Sequence, residues 1–257
     1  MDALHGKTAL VTGIANKRSI AYAIAEDFAA NGGRIAVAYQ RLDKEGAGEK
    51  IARITEDLKP ALLVPLDVGD PASVAALAGA LRDRLGTVHV LVHAIANSKR
   101  EELSGRHSDI SRDGFLYALD ISAYSLIALT RAVRPLMTEG GSILTLSYIG
   151  AERATHNYNV MGGAKAALEA NVRYLAMELG PENIRVNAIS AGPIRTLAAS
   201  GIKDFLDLLH QAAALNALKR NVTVEEVAAA ATFLASPRGS GITGQVIHVD
   251  GGFNIFG

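Results

Sequence analysis

Short runs of aliphatic and β-branched residues alternate along the chain with longer amphipathic stretches. The short runs stand at Thr8–Val11, Arg34–Tyr39, Ala61–Leu66, Val88–Val92, Ser142–Leu146, Arg185–Ile189 and Gln245–Val249. Several are apolar at consecutive positions, as a strand covered by helices on both faces requires. Strands alternating with helical stretches predict repeated βα units: an α/β fold with a doubly wound, Rossmann-like parallel sheet of about seven strands. Local helix signals fit this order. Asp70 before Pro71 reads as an N-cap and first helical position, Thr223 with Glu226 as a capping box, and Asn31-Gly32-Gly33 as the close of the first helix. With no linker, low-complexity run or internal repeat in between, residues 1–257 are expected to form a single domain.

Composition narrows the possibilities. Hydrophobic residues make up 49% and charged residues 20%, enough apolar surface for a large core. Lys plus Arg and Asp plus Glu both number 26, so no global field draws the chain to nucleic acid or an anionic membrane. The absence of cysteine excludes a disulfide framework, a thiolate metal site and a cysteine nucleophile, and fits a reducing, cytoplasmic compartment. His89 and His93 are four apart but lie on a strand with no following Glu, so they read as structural rather than as metal ligands. No uninterrupted apolar run approaches the roughly 18 residues of a membrane span, and Met1–Lys7 has no signal-peptide core.

In open α/β sheets, ligands lie beyond the carboxyl ends of the strands, near the point where strand order reverses. The first strand runs into Val11-Thr12-Gly13, and an amphipathic helix begins at Ser19-Ile20-Ala21. Gly13 would let the backbone approach a pyrophosphate, and Ser19 would cap a helix whose N–H groups favour an anion. The full G-x-G-x-x-G is missing, because Ala15 and Ser19 stand where glycine might be expected, so the loop alone reads equally as a plain β-turn-α connection. Gln40 ends the second strand, where a dinucleotide fold reads the adenosine ribose, and its uncharged amide favours NADH. Arg41 beside it is either a solvated surface charge or a partner for a 2′-phosphate, which keeps NADPH possible. Asp67-Val68 ends the third strand and either grips adenine or, through Asp67, caps a local turn. His93-Ala94-Ile95-Ala96 ends the fourth and could line the ribose.

The strongest chemical signal follows the fifth strand, which runs to Ser147-Tyr148. Tyr158 then opens a helix that carries Lys165 and continues to Leu179. Seven positions at about 100° each come within about 20° of two full turns, so Tyr158 and Lys165 share a face about 10.5 Å apart along the axis. Together they could hold ribose hydroxyls and donate to an oxygen that gains negative charge. An arbitrary Tyr and Lys at this spacing would instead simply pack and snorkel.

The two residues on the helix after the fifth strand resemble the short-chain dehydrogenase/reductase superfamily. Their six intervening residues are similar to its bacterial type I enoyl-acyl-carrier-protein reductase branch. The resemblance extends through Ser147-Tyr148-Ile149-Gly150-Ala151-Glu152-Arg153, Asn157-Tyr158-Asn159-Val160-Met161-Gly162, the run from Arg185 to Thr196, Ala199-Ser200-Gly201-Ile202-Lys203-Asp204-Phe205 and His248-Val249-Asp250-Gly251-Gly252-Phe253. It spans nearly the whole chain, from about Gly6 to Phe253.

That resemblance implies hydride transfer from NADH to the β-carbon of a trans-2-enoyl thioester in fatty-acid elongation. Tyr158 would donate to the thioester oxygen, Lys165 bind the nicotinamide ribose, and Tyr148 line the reacting centre. Gly13, Ser19, Ile20, Gln40, Asp67, Val68, Ile95, Ile194, Arg195, Thr196, Leu197 and Ala198 would hold the cofactor. Ser98 and Phe205 would meet substrate, and Gly192-Pro193 would turn against the nicotinamide amide. The implied partner is acyl carrier protein, with no nucleic acid and no membrane, and the implied assembly is a homotetramer, for which the alanine-rich helix Ala164–Leu179 offers a face. Asn97 stands where the family often has an aromatic residue, and Leu206 and Asp207 where basic residues may help dock the carrier. Ile202, Phe205, Leu206 and Leu209 form an apolar stripe after the small residues Ala199-Ser200-Gly201, so 196–215 is expected to be either a lid or an ordinary core helix. Two other readings compete: a short-chain reductase of keto groups, which would carry a three-residue Tyr-to-Lys spacing, and a cofactor-sensing binding module.

Overall fold

The computed structural model describes residues 3–40, 46–196 and 205–255, the last span without the side chains of 205, 206 and 208. Seven strands are present: β1 Thr8–Thr12, β2 Arg34–Gln40, β3 Leu62–Leu66, β4 Val90–His93, β5 Gly141–Ser147, β6 Ile184–Ala191 and β7 Val246–Val249. They form one sheet in the order β3-β2-β1-β4-β5-β6-β7, every pairing parallel. Each expected strand is found, with ends shifted by one or two residues. The shift matters at β5 and β6, which run on to Ser147 and Ala191 and so reach the functional edge of the sheet.

Side chains that alternate along each strand enter two separate cores, which is why the strands lack a polar face. Leu10, Ala36, Leu91 and Ile143 pack on one side with α3 (Pro71–Leu85), α5 (Ser125–Val133) and α6 (Asn159–Leu179). Their neighbours Val11, Val37, Val92 and Leu144 pack on the other with α1 (Ile20–Ala30) and α8 (Val224–Ala235). The remaining helices are α2 (Ala47–Ile54), α4 (Arg112–Leu119) and α7 (Phe205–Leu215).

The helix ends follow their local chemistry. Ser19 Oγ accepts from Tyr22 N, Asp70 Oδ1 accepts from Ala72 N at 2.9 Å, and Thr223 and Glu226 complete a reciprocal capping box. Helix α4 is capped from two sides: Ser111 Oγ accepts from Gly114 N, while the buried Glu102 carboxylate accepts from Ser111 N and from the Ser111 hydroxyl. A Cβ at Gly114 would collide with the Glu102 side chain and force it off this cap.

One expectation is corrected, and another falls partly outside the described residues. Arg112–Leu136 is helical throughout its 25 residues and, by length and composition, apolar enough to cross a membrane, which the search for an uninterrupted apolar run overlooked. One side of it is core, with Ala118, Leu126, Leu129 and Val133 fully buried, while Phe115, Leu116 and Tyr124 are exposed. The lid expected at 196–215 falls partly outside the described residues, since Leu197, Ala198, the small-residue run to Gly201, and Ile202 and Lys203 all do; the last part forms α7.

Candidate active site

Strand order reverses between β1 and β4, and there the backbone turns tightly. Gly13 has φ +83°, and a Cβ on it would overlap the Ala94 carbonyl, so the close approach that demands glycine is made by the β4 loop. Thr12 secures the same junction, its hydroxyl donating to Val92 O at 2.9 Å and accepting from Ala94 N at 3.2 Å. The β1–α1 loop then closes on itself. Asn16 Oδ1 accepts from Arg18 N at 2.8 Å, and Ser19 Oγ donates to Asn16 O at 2.7 Å.

A cavity of about 340 Å³ opens at the carboxyl edge of the sheet. It collects Ile20 from α1, Ala96, Asn97 and Ser98 from the loop after β4, Tyr148 after β5, Tyr158, Met161 and Lys165 from the start of α6, and Ile194 and Thr196 after β6. Tyr158 is the N-cap of α6, one residue before the helix proper, so its ring meets that of Tyr148 edge to face with centroids 4.9 Å apart. Two glycines permit the arrangement. A Cβ on Gly150 would lie 2.5 Å from Cδ1 of Tyr158, and one on Gly162 would lie 2.9 Å from Gly150 O.

Burial tunes all three polar groups. The Tyr148 hydroxyl is buried, has no hydrogen-bond partner among the described residues, and is pushed up to about 12 by desolvation. Desolvation, with a smaller contribution from Tyr148, also raises Tyr158, so both phenols remain protonated and able to donate. Lys165 is buried and donates from Nζ to Leu146 O at 2.6 Å. Desolvation lowers it to about 8, against the opposing pull of Glu169 one turn further along α6. Glu169 accepts a hydrogen bond from the Ser147 hydroxyl, and its own pKa is raised by burial.

Of the residues expected at the site, Ile20, Ser98, Tyr148, Tyr158, Lys165, Ile194 and Thr196 line this cavity. Gly13, Ser19, Gln40, Asp67, Val68, Ile95 and Arg195 lie outside its lining, in the loops or strand ends at the same edge of the sheet. Gln40 is exposed at the end of β2. Asp67 makes the local-turn contact, accepting from Gly69 N at 3.0 Å. Arg41, Leu197 and Ala198 lie outside the described residues, as does the Phe205 side chain. The lining also includes Met161, Leu103 and Arg100, which the sequence analysis did not single out. Met161 carried a usable signal, because it lies three residues after Tyr158 on the same helix face.

The two histidines are structural. His89 Nδ1 accepts from Thr8 N at 3.0 Å, and Nε2 faces Glu139 at 3.1 Å. Fully buried His93, on β4, sits between Thr145 Oγ1 at 2.8 Å and Ser125 Oγ at 2.7 Å. Both hydroxyls have a carbonyl acceptor, Ile121 O at 2.6 Å for Ser125 and His93 O at 3.1 Å for Thr145, and the shorter of the two leaves Ser125 to accept from the ring, which favours a proton on Nε2. Burial, with Lys165 as a lesser cause, lowers His93 to about 3 and keeps it neutral.

Fold and cavity together place the molecule in the short-chain dehydrogenase/reductase class, with a tyrosine and a lysine presented by the helix after the fifth strand. Comparison with known proteins is more specific. The model of the family described as enoyl-(acyl carrier protein) reductase matches residues 13–254. The enoyl-(acyl-carrier-protein) reductase (NADH) FabI of Nostoc sp. is 51% identical over 254 residues, covering 99% of this chain and 98% of that one. The protein of the same name from Escherichia coli is 47% identical over 256 residues, covering 99% and 97%. The crystal structure of the Bacillus cereus enoyl-acyl carrier protein reductase with NADP+ and indole naphthyridinone superposes with a TM-score of 0.96 at 46% identity, covering 100% of both chains. The chain belongs to the enoyl-(acyl carrier protein) reductase family.

Proposed function

We propose that this protein reduces the trans-2 double bond of enoyl thioesters carried on acyl carrier protein, with NADH as reductant, in the fatty-acid elongation cycle. The observation that carries this reading is the cavity in which the Tyr148 and Tyr158 rings meet beside buried Lys165, in a chain whose relatives bear that name at full coverage.

The residues fit a nicotinamide dinucleotide. Lys165 has one donor engaged by Leu146 O, which leaves two N–H donors for ribose hydroxyls, and the N-terminus of α1 follows the glycine turn that ends β1. When bound, the dinucleotide supplies a hydride to the substrate β-carbon. Negative charge then develops on the thioester oxygen, and Tyr158, held protonated by its surroundings, donates a hydrogen bond to it. The Tyr148 hydroxyl has no partner among the described residues and is available to the same region, and Met161, Leu103 and Ile194 give the cavity an apolar wall suited to an acyl chain. Gln40, Asp67, Val68, Ile95 and Arg195 are proposed to hold the rest of an extended cofactor, and Ser98, which lines the cavity, to meet the acyl thioester. The neutral amide of Gln40 supports NADH over NADPH.

Apolar side chains exposed on α4 and α6, Phe115 and Leu116 with Tyr174 and Met177, support a homotetramer, which light scattering would test. A cysteine-free sequence and this substrate cycle support a cytoplasmic location. The deciding assay follows cofactor oxidation with crotonyl and acetoacetyl thioesters, each with NADH and NADPH. Rapid NADH oxidation with the crotonyl substrate is expected; consumption of the acetoacetyl substrate instead would overturn the proposal.

A further inference from the structure

A π-helical turn, Asp120–Tyr124, separates α4 from α5. Such turns are rare and recur at functional sites. A serine within a helix ordinarily bonds back to the carbonyl four residues earlier. Ser125 does this with Ile121 O at 2.6 Å, and Asn171 Nδ2 satisfies the turn's Ala123 O at 3.2 Å. Ser122 behaves differently. It is fully buried, and its Oγ reaches out of the helix to the loop after β4, accepting from Asn97 N at 3.0 Å and donating to Asn97 O at 3.1 Å. A single hydroxyl therefore holds both backbone polar groups of one residue. The Asn97 side chain is held as well: Nδ2 donates to Tyr117 Oη at 2.9 Å, and Oδ1 accepts from Ser98 N at 3.0 Å. Asn97 and Ser98 line the cavity, on a loop distinct from the elements that carry Tyr148, Tyr158 and Lys165.

We propose that Ser122 is a positioning residue for the reaction, fixing Asn97 and Ser98 through the π-turn as the wall against which the acyl thioester is held. The proposal rests on the enoyl-thioester reading above. Because the wall contacts substrate without taking part in bond changes, loosening it should weaken ground-state and transition-state binding alike and raise KM while sparing kcat. General loosening of the fold does the opposite, lowering the active fraction and hence apparent kcat.

The test compares Ser122→Ala with Ser125→Ala, which removes a hydroxyl just after the turn, one bonded to Ile121 O and His93 rather than to Asn97. With saturating NADH, Ser122→Ala should raise KM for a crotonyl thioester roughly tenfold, the size of one lost hydrogen bond. It should also speed hydrogen exchange at the Asn97 amide. Ser125→Ala should lower melting temperature and leave both quantities near wild type. Should Ser122→Ala fail to fold, Ser122→Cys keeps a small side chain with a weak donor and acceptor and should show the same changes. An unchanged KM and unchanged Asn97 exchange in the Ser122 variant would overturn the proposal, as would an equal rise in KM in Ser125→Ala. A wild type inert toward crotonyl thioesters, with the exchange contrast intact, would defeat the enoyl reading and support the clamp.

Discussion

Replacing Lys165 with Met should abolish turnover and, at neutral pH, stabilise the fold. The buried ammonium has its pKa lowered from 10.5 to about 8, a preference for the neutral form worth roughly 3 kcal/mol. Below pH 8 the lysine is charged in both folded and unfolded states, so the folded state bears that cost in full. Between about 8 and 10.5 the folded protein releases the proton first, and wild-type stability rises with pH. Met removes the cost but forfeits the charged hydrogen bond to Leu146 O, itself worth about 1.5–3 kcal/mol. A net gain of up to roughly 1–2 kcal/mol remains, equivalent to roughly 2–8 °C in melting temperature for a chain of this size. Urea unfolding of both proteins from pH 7 to 10 provides the measurement. The advantage of Lys165→Met should shrink as pH rises through the window above 8. A variant less stable than wild type at pH 7, or a difference that does not change with pH, would refute the reasoning.

Tyr158→Phe should retain NADH affinity and lose about 10²- to 10⁴-fold in turnover, whereas Tyr148→Phe should retain more; steady-state kinetics with fluorescence titration would show whether the two roles are reversed. Gln40→Arg should shift the ratio of kcat/KM values toward NADPH, and a wild type already favouring NADPH would remove Gln40 from that role. Gly150→Ala should cut kcat by at least tenfold with a small change in melting temperature, because its Cβ would push on the Tyr158 ring from 2.5 Å. Full activity in that variant would show that the ring position is not critical.

The sheet was legible because each strand carries its own apolar pattern, and Asp70, Thr223 and Ser19 announce their helices within four residues. Tyr158 and Lys165 were legible for the same reason: one caps α6 and the other lies two turns along it, close together in sequence. What escaped depends on partners distant in sequence. Nothing in Asp120-Ile121-Ser122-Ala123-Tyr124 marks a π-turn, and the contact of Ser122 with Asn97, 25 positions away, exists only in the folded chain. Glu102 takes its capping role only when Ser111 and Gly114 close over it, nine and twelve residues further on. Gly13 was found for a partly different reason, since the atom that forbids a side chain there is the Ala94 carbonyl.

His93 offers something of practical use. An imidazole held near 3 by its surroundings stays uncharged across the whole range in which exposed histidines titrate, and its Nε2 proton is enclosed against Ser125. In a proton NMR spectrum that nucleus should appear far downfield, exchange slowly with solvent, and hold its position from about pH 5 to 8. It would then serve as a native reporter that needs no label. Any ligand or substitution that moves the helical turn against β4 would register as a shift or broadening of that single line.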